Sequence, residues 1–204
     1  MLPKSYLHIR FVCLLILSVF TQQAYAWVLY LAPGARQIYI QVGNGTFSAG
    51  IPGNNSTINS VSVNVPIGSL GNGTAQNMTS NSSVALSPLD GYAVCNPPNQ
   101  VYIGGWVRVP GTTGNAVLSV TNPINLINSS GDTIPFSTIS WQSTANGNPY
   151  AHIASGNFNA GTTVLANVAA NTWVENCFSF SYNNLNIYPA GTYTGRATYT
   201  LSLP

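Results

Sequence analysis

The chain has 204 residues, of which only 4% are charged, against roughly a quarter in an ordinary globular domain. Its formal net charge is +2 at pH 7, and it carries only 2 histidines. This composition offers no basic patch for binding phosphates, so it excludes a nucleic-acid-binding protein, and it leaves few titratable groups for acid–base catalysis.

The first 26 residues have the pattern of a secretory signal peptide. Two basic residues precede a short apolar run, FVCLLILSVF, and Ala24 and Ala26 supply the small residues that a signal peptidase requires. The run is too short to span a bilayer stably, although a retained membrane anchor is the alternative. We therefore predict residues 1–26 as the signal peptide and a mature chain that begins at Trp27.

Removal of the signal peptide leaves a mature chain whose charges balance. The remaining charged residues are Arg36, Arg108, Arg196, Asp90, Asp132 and Glu175. The polar surface must therefore come from Asn, Ser, Thr, Gln and Gly. A surface without net charge lacks colloidal repulsion and favours association, which suits a subunit that assembles.

Short runs rich in Val, Ile, Tyr and Thr follow, separated by Gly-, Pro- and Asn-rich turn signals. In chain order, the predicted strands are RQIYIQVG, INSVSVNVP, YAVC, QVYIGGWVRVP, NAVLSVT, PFSTISW, TTVLANV, WVENCFSFSY and TYTGRATYTLSL. Many short strands at fairly regular spacing predict an all-β antiparallel sandwich or barrel, as one domain over residues 27–204. The Asn- and Ser-rich stretch 50–83 is either a mobile insertion or a set of strands with an uncharged outer face.

Alternation within two of these runs predicts which side chains face the core. In QIYIQV, the two isoleucines and the valine share one face. In WVENCFSFSY, the face with Val174 and three aromatic residues is the predicted core face. The opposite face, which includes Glu175 and Cys177, is mostly polar and is predicted to be partly covered.

Two cysteines, Cys95 and Cys177, remain in the mature chain. In an exported protein two cysteines most simply form a disulfide, with two buried free thiols or a metal site as the alternatives. The positions are 82 residues apart, so the bond would stabilise the fold by about 4–5 kcal/mol through the entropy of the unfolded chain. With His152 as the single mature histidine, the zinc ligand set is poor, and we predict no metal and no cofactor.

Catalytic motifs are missing from the sequence. His152 with Asp90 or Asp132 would permit a Ser–His–Asp arrangement, but no G-x-S-x-G turn marks a nucleophile. A glycosidase pair drawn from the three carboxylates is equally unconstrained. Both aspartates lie in turn contexts, where Asp caps its own backbone, and Glu175 is expected to pair with an arginine. We predict that the protein is not an enzyme.

Exposed aromatic residues offer a different activity, the stacking of sugar rings. Trp106 and Trp141 are the candidates, and a host or surface glycan would be the ligand. A secreted glycan- or surface-binding module that works without polymerising is therefore the alternative function. The competing interpretation is that these aromatic residues form core and cross-strand pairs.

The clearest strand signal is the last one, AGTYTGRATYTLSLP. From Tyr193 to Leu203 every second residue is apolar or small, and Thr, Arg or Ser occupies the positions between. A strand of this kind at a sheet edge exposes unpaired backbone groups and invites another strand. Ordinary pairing within its own sheet is the alternative.

This segment resembles the C-terminal strand of chaperone–usher pilus subunits, especially the spore-coat-U-like, archaic group, through its GTYT turn into the last strand. The resemblance implies an incomplete immunoglobulin-like β-sandwich that lacks one strand. A periplasmic chaperone donates that strand first, and a neighbouring subunit replaces it at the outer-membrane usher. The implied function is a structural or adhesive subunit of a fimbria-like fibre, exported through the periplasm to the cell surface.

The resemblance also implies roles for particular residues. The last strand would border an acceptor groove, and the mature N-terminus would donate a strand to another subunit. The implied groove side chains are Tyr193, Ala197, Tyr199, Leu201 and Leu203. The implied donor is WVLYL, with Trp27, Leu29 and Leu31 on its inserted face.

Overall fold

The computed structural model describes residues 37–45, 48–49, 58–109, 114–145 and 153–203. The predicted signal peptide, its cleavage site and the predicted donor residues Trp27, Leu29 and Leu31 lie outside these ranges. Arg36 and His152 lie outside them as well. The predictions made for these residues stay predictions.

The regular structure of the described residues consists of β-strands and two single-turn 3₁₀ helices, Ile67–Ser69 and Phe136–Thr138. The strands are β1 (Gln37–Val42), β2 (Ser48–Ala49), β3 (Val61–Ser62), β4 (Gln76–Asn77), β5 (Thr79–Ser80), β6 (Val101–Arg108), β7 (Asn115–Asn122), β8 (Asn125–Ile127), β9 (Thr133–Pro135), β10 (Ile139–Thr144), β11 (Gly156–Asn157), β12 (Gly161–Ala169), β13 (Trp173–Tyr182) and β14 (Thr198–Ser202). Every strand pairing is antiparallel. The prediction of an all-β antiparallel fold is therefore confirmed.

Two sheets contain most of the strands. The larger has the order β11-β10-β13-β6-β1-β2, with β4 also paired to β13, and the smaller has the order β12-β7-β14. Two separate pairs, β3-β5 and β8-β9, complete the described pairing. Since β7 is the central strand of the smaller sheet, β14 has one described neighbour in that sheet.

The main apolar core is shared by the two sheets. It receives Ile103 and Val174 from the larger sheet and Leu118, Val168 and Leu201 from the smaller one. Burial of one such side chain contributes about 1.5–3 kcal/mol, so this shared core supplies most of the stabilisation. The two sheets therefore depend on each other for their burial.

The predicted core faces of β1 and β13 are confirmed. In β1, Ile38, Ile40 and Val42 all pack against the core. In β13, Val174 and Phe178 are fully buried in it. Period-two alternation identified these faces because side chains of a strand point alternately to its two sides.

Trp141 belongs to this core, so of the two interpretations of this residue the core one is confirmed and an exposed sugar-binding role is excluded. It stacks on Phe178 with ring centroids 5.7 Å apart, and Phe158 meets it edge-on at 5.0 Å. Only 5% of Trp141 is exposed, and its indole N–H donates to the carbonyl of Ala154 at 2.9 Å. It shares the buried face of β10 with Ile139, two residues earlier.

The part of the Asn- and Ser-rich stretch that is described, residues 58–83, forms short strands. It contains β3, β4, β5 and the first 3₁₀ turn. The fully buried Asn184 holds the following loop, because its side chain donates to the carbonyl of Ser69 at 2.7 Å and accepts from the N–H of Gly71 at 3.0 Å. Of the two interpretations, strands with an uncharged outer face fit these residues.

Candidate functional site

A long apolar groove opens onto the core beside β14. Its volume is about 1060 Å³. One wall is the segment 193–199, which leads into β14, and the other is the segment 58–65, which contains β3. The floor consists of buried core side chains, among them Val101, Phe136, Ile139, Phe158 and Phe180.

The wall 58–65 is an extended segment whose backbone is largely unpaired. Its sequence INSVSVNV places Val61, Val63 and Val65 in half-buried positions, and the residues between them are exposed. Only Val61 and its neighbour pair with β5, and no backbone hydrogen bond joins residues 63–65 to another described residue. Such a segment presents free N–H and C=O groups, as a strand edge does.

The opposite wall is also incompletely paired. Thr194 exchanges two backbone hydrogen bonds with Ile127, at 2.9 and 3.0 Å, and the pairing of β14 with β7 begins at Thr198. Between them, residues 195–197 make no backbone hydrogen bond to another described residue. The last strand is therefore shorter than the predicted run, because the bridge from Thr194 to β8 directs the chain away from β7.

β14 itself pairs along one flank among the described residues. Its register runs from Thr198 opposite Thr121 to Ser202 opposite Val117, all within β7. Side chains alternate as predicted, with Leu201 buried and the threonines and serine exposed. The fold thus keeps an edge next to the groove.

The five predicted groove side chains occupy two different settings. Tyr193, Ala197 and Tyr199 line the groove. Leu201 is buried in the core and Leu203 packs against it, and neither is among the residues that line the groove. Burial raises the pKa of Tyr199 above its ordinary value, because it removes water from the ionised form of the phenol.

The groove has the size and chemistry to receive an extended peptide. A strand that follows residues 193–199 would run for roughly 20 Å. Among the described lining residues, Arg196 is the one charged side chain, and it is exposed, whereas the remainder are apolar or neutral. An inserted strand would therefore find apolar contacts below and unpaired backbone groups at the sides.

No family model, curated protein or solved structure matches this chain. The likeness to chaperone–usher subunits therefore depends on the sequence features described above. The role of the groove has to be inferred from its geometry.

The outer face of β13 differs from the groove because a second segment, residues 84–95, covers it. Cys95 and Cys177 form the predicted disulfide, with their Cα atoms 5.5 Å apart. Val94 and Tyr102 pack with this cystine in a small buried cluster of their own. We call residues 84–95 the covering segment.

Glu175 lies beneath the covering segment and is buried more completely than the prediction of a partly covered face implies. It is 1% exposed, and its Oε2 accepts hydrogen bonds from Ser87 Oγ at 2.8 Å and from the Tyr102 hydroxyl at 2.9 Å. Burial and the charge of Glu175 raise the pKa of Tyr102. Gly104 leaves the space that the Tyr102 ring occupies. This is a satisfied buried polar network, and an arginine partner for Glu175 stays a prediction.

The two aspartates lie in turns, as predicted, but only one caps its own turn. Asp90 Oδ1 accepts the N–H of Tyr92 at 3.0 Å. In the second turn Asn128 is the capping residue, because its Oδ1 accepts the N–H groups of Ser130 and Asp132 at 3.0 and 2.8 Å. The prediction that Asp132 caps its own backbone is wrong, since its carboxylate accepts from Asn128 Nδ2 instead.

Metal and membrane sites were sought among the described residues only. There, no group of three or more His, Cys, Asp and Glu side chains could hold a metal ion. No helix in this part of the chain is long and apolar enough to cross a membrane.

Aromatic side chains also occupy the outer face of the larger sheet. Trp106 of β6 lies opposite Tyr39 of β1 and opposite Trp173 of β13. The rings of Tyr39 and Trp106 stack, with centroids 5.2 Å apart and an interplanar angle of 25°. A hollow of about 450 Å³ lies here, lined by Leu89, Trp106, Asn171, Thr172 and Trp173.

Proposed function

We propose that this chain is an exported, non-enzymatic subunit of a fimbria-like surface fibre, assembled by strand exchange. The observation that carries the proposal is the apolar groove of about 1060 Å³ beside the last strand. Its two walls, 58–65 and 193–199, include residues 63–65 and 195–197, which make no backbone hydrogen bond to another described residue. A β-strand from another polypeptide would fill it.

The energetics of strand insertion support this occupant. Each large apolar side chain that becomes buried contributes about 1.5–3 kcal/mol, and each new backbone hydrogen bond about 0.5–1.5 kcal/mol. Three alternating apolar residues such as Trp27, Leu29 and Leu31 would thus supply several kcal/mol, enough to offset the ordering of a short strand. A small ligand would leave most backbone groups of the walls unpaired.

Other features agree with the same function. In this proposal the fold is an immunoglobulin-like sandwich that lacks one strand, led through the membrane by residues 1–26 and completed by a periplasmic chaperone and then a neighbouring subunit. The cystine suits an oxidising compartment. The balanced charge of the mature chain removes the repulsion that would oppose packing of many copies.

Expression of the exported chain with and without a pilus chaperone of the spore-coat-U-like group tests the proposal. We expect the chain alone to aggregate or be degraded, and the chain with the chaperone to be recovered as a soluble complex. A free chain that is soluble, monomeric and cooperatively folded without any partner would refute the missing-strand proposal.

Cysteine cross-linking locates the inserted strand. A chain with Leu29→Cys and a second chain with Ala197→Cys should form an intermolecular disulfide, because Ala197 lines the groove. Thr200→Cys is the matched control, since Thr200 is exposed in β14 and does not line the groove. Equal cross-linking of both variants would contradict insertion beside this wall.

A further inference from the structure

The hollow on the outer face of the larger sheet is separate from the groove, so strand insertion does not account for it. Within β6, Val101 lines the groove and Ile103 is in the core, whereas Trp106 has the opposite parity and lies on the outer face. Filling of the groove would therefore leave the hollow open. What binds there does not depend on strand exchange.

Two indole side chains line this hollow side by side, from neighbouring strands. Trp106 and Trp173 occupy directly opposed positions on neighbouring strands, about 4.8 Å apart, and both are half-buried. Tyr39 stacks on Trp106 from the side of β1, so the other side of the Trp106 ring is directed towards β13. The stack also restricts the rotamer of Trp106, which lowers the entropy lost when a ligand binds.

The rim of the hollow is fixed by the turn between β12 and β13. Asn171 adopts a left-handed conformation with φ 58°, and its N–H donates to the carbonyl of Val107 at 2.7 Å. Its side chain accepts the N–H of Val109 at 3.3 Å and donates to the carbonyl of Val109 at 3.4 Å. Asn171 and Thr172 are therefore held in place against the end of β6, and they add neutral polar groups to the lining.

The chemistry of the lining selects the class of ligand. The described lining residues are two indoles, a leucine, an amide and a hydroxyl, with no charged group among them. A sugar ring has an apolar C–H face that stacks on an indole and neutral hydroxyls that pair with amide and hydroxyl groups. The volume of about 450 Å³ is within the range of small-molecule sites.

We propose that the hollow between Trp106 and Trp173 binds a neutral oligosaccharide. A proline-rich peptide also stacks on tryptophan, but it needs a row of exposed aromatic ridges along an extended groove. Here Tyr39 is stacked on Trp106, and the hollow is a single site. The sugar is therefore the occupant that this geometry favours.

Tryptophan fluorescence titration of the purified mature chain, with a chaperone bound if solubility requires it, tests the proposal. The probes are the hexasaccharides of cellulose, chitin, xylan and amylose, together with one proline-rich peptide. We expect at least one oligosaccharide to bind and Trp106→Ala to weaken it about tenfold. Tyr92→Ala is the control, because Tyr92 is 76% exposed on the covering segment but does not line the hollow.

Three results would overturn the proposal: binding of none of the four oligosaccharides, binding of the peptide alone, or unchanged affinity in a folded Trp106→Ala chain. If Trp106→Ala does not fold, Thr172→Val replaces it, since this change removes a lining hydroxyl and preserves the side-chain shape. An unchanged affinity in Thr172→Val would then count against the site. Loss of sugar binding would leave strand exchange unaffected. The experiment can therefore refute the sugar site without refuting the proposed fibre subunit.

Discussion

The outer face of β13 and the groove beside β14 are both partly apolar surfaces of the same core strands. Another segment of the chain covers the first, whereas the second stays open. The covering segment closes the first, with Cys95 joined to Cys177 and Glu175 satisfied by two hydroxyls. The second stays open between the walls 58–65 and 193–199. A short segment without regular secondary structure can close a face when a covalent bond anchors it, whereas a strand edge needs a strand.

The covered face and the open groove also differ in what stabilises the fold there. On the closed side, the anchor acts on the unfolded chain and its contribution is present in every molecule. On the open side, stabilisation depends on the concentration and affinity of whatever fills the groove. Four changes test this contrast, with unfolding measured on the chain held soluble by a bound chaperone or, in the third test, by the added peptide. They follow in order of expected effect on the free energy of unfolding.

Removal of the disulfide should have the largest effect. The double variant Cys95→Ser, Cys177→Ser should lower the free energy of unfolding by about 4–5 kcal/mol, because it restores the entropy of the 82-residue loop to the unfolded chain. Urea unfolding of the variant and of the parent provides the measurement. A loss below about 1 kcal/mol would show that other contacts anchor the covering segment.

Replacement of the buried tryptophan should come next. Trp141→Ala should cost about 3–5 kcal/mol, since it leaves a cavity between Phe158 and Phe178. Trp106→Ala on the outer face should cost about 1 kcal/mol, mainly through the lost stack with Tyr39. Thermal or urea unfolding distinguishes the two, and equal losses would contradict the division between core and surface rings.

Addition of a donor peptide should stabilise the open side. A peptide with the sequence WVLYL at a hundred times its dissociation constant should raise the free energy of unfolding by about 2.7 kcal/mol. Ala197→Lys should abolish this gain, because it places a charge in the apolar groove, and Thr200→Lys, at an exposed position that does not line the groove, should retain it. A gain that survives in the Ala197 variant would place the peptide elsewhere.

Tyr102→Phe should lower the free energy of unfolding by about 1–3 kcal/mol, because Glu175 loses one of its hydrogen-bond donors. The effect should also depend on pH. Folding raises the pKa of Tyr102 above the value of about 10 in the unfolded chain. The contribution of Tyr102 to the free energy of unfolding is therefore complete below about pH 10 and is lost as the pH rises further.

Urea unfolding between pH 9 and 11 measures this dependence. Above about pH 10, the stability of the parent should fall more steeply than that of Tyr102→Phe, by up to about 1.4 kcal/mol per pH unit. Parallel profiles for the two proteins would contradict the assignment of the shift to Tyr102.

Local patterns along single strands predicted the features that single strands determine. Alternation predicted the β class and the core faces of β1 and β13, and the two cysteines that follow the predicted signal peptide predicted the bond between Cys95 and Cys177. For Trp141 the sequence left a core role and an exposed role open, because a lone tryptophan between polar residues has only a weak local signal of burial, and the fold decides for the core.

The groove could be predicted only in part. Period-two alternation placed Tyr193, Ala197 and Tyr199 on one side of the last strand, but the facing wall, 58–65, is distant in sequence and joins the site only in the folded chain. Leu201 continues the same alternation, yet β7 draws it into the core. Tertiary pairing, rather than side-chain pattern, decides where the groove ends.

The opposite parities of Val101 and Trp106 along β6 have a consequence for a fibre. If subunits are joined through their grooves, each one carries its hollow on the other side of the sheet, so a fibre of many copies displays many identical sugar sites. A long polysaccharide would then occupy several of these sites simultaneously, and through avidity the fibre would bind it much more tightly than a single site does.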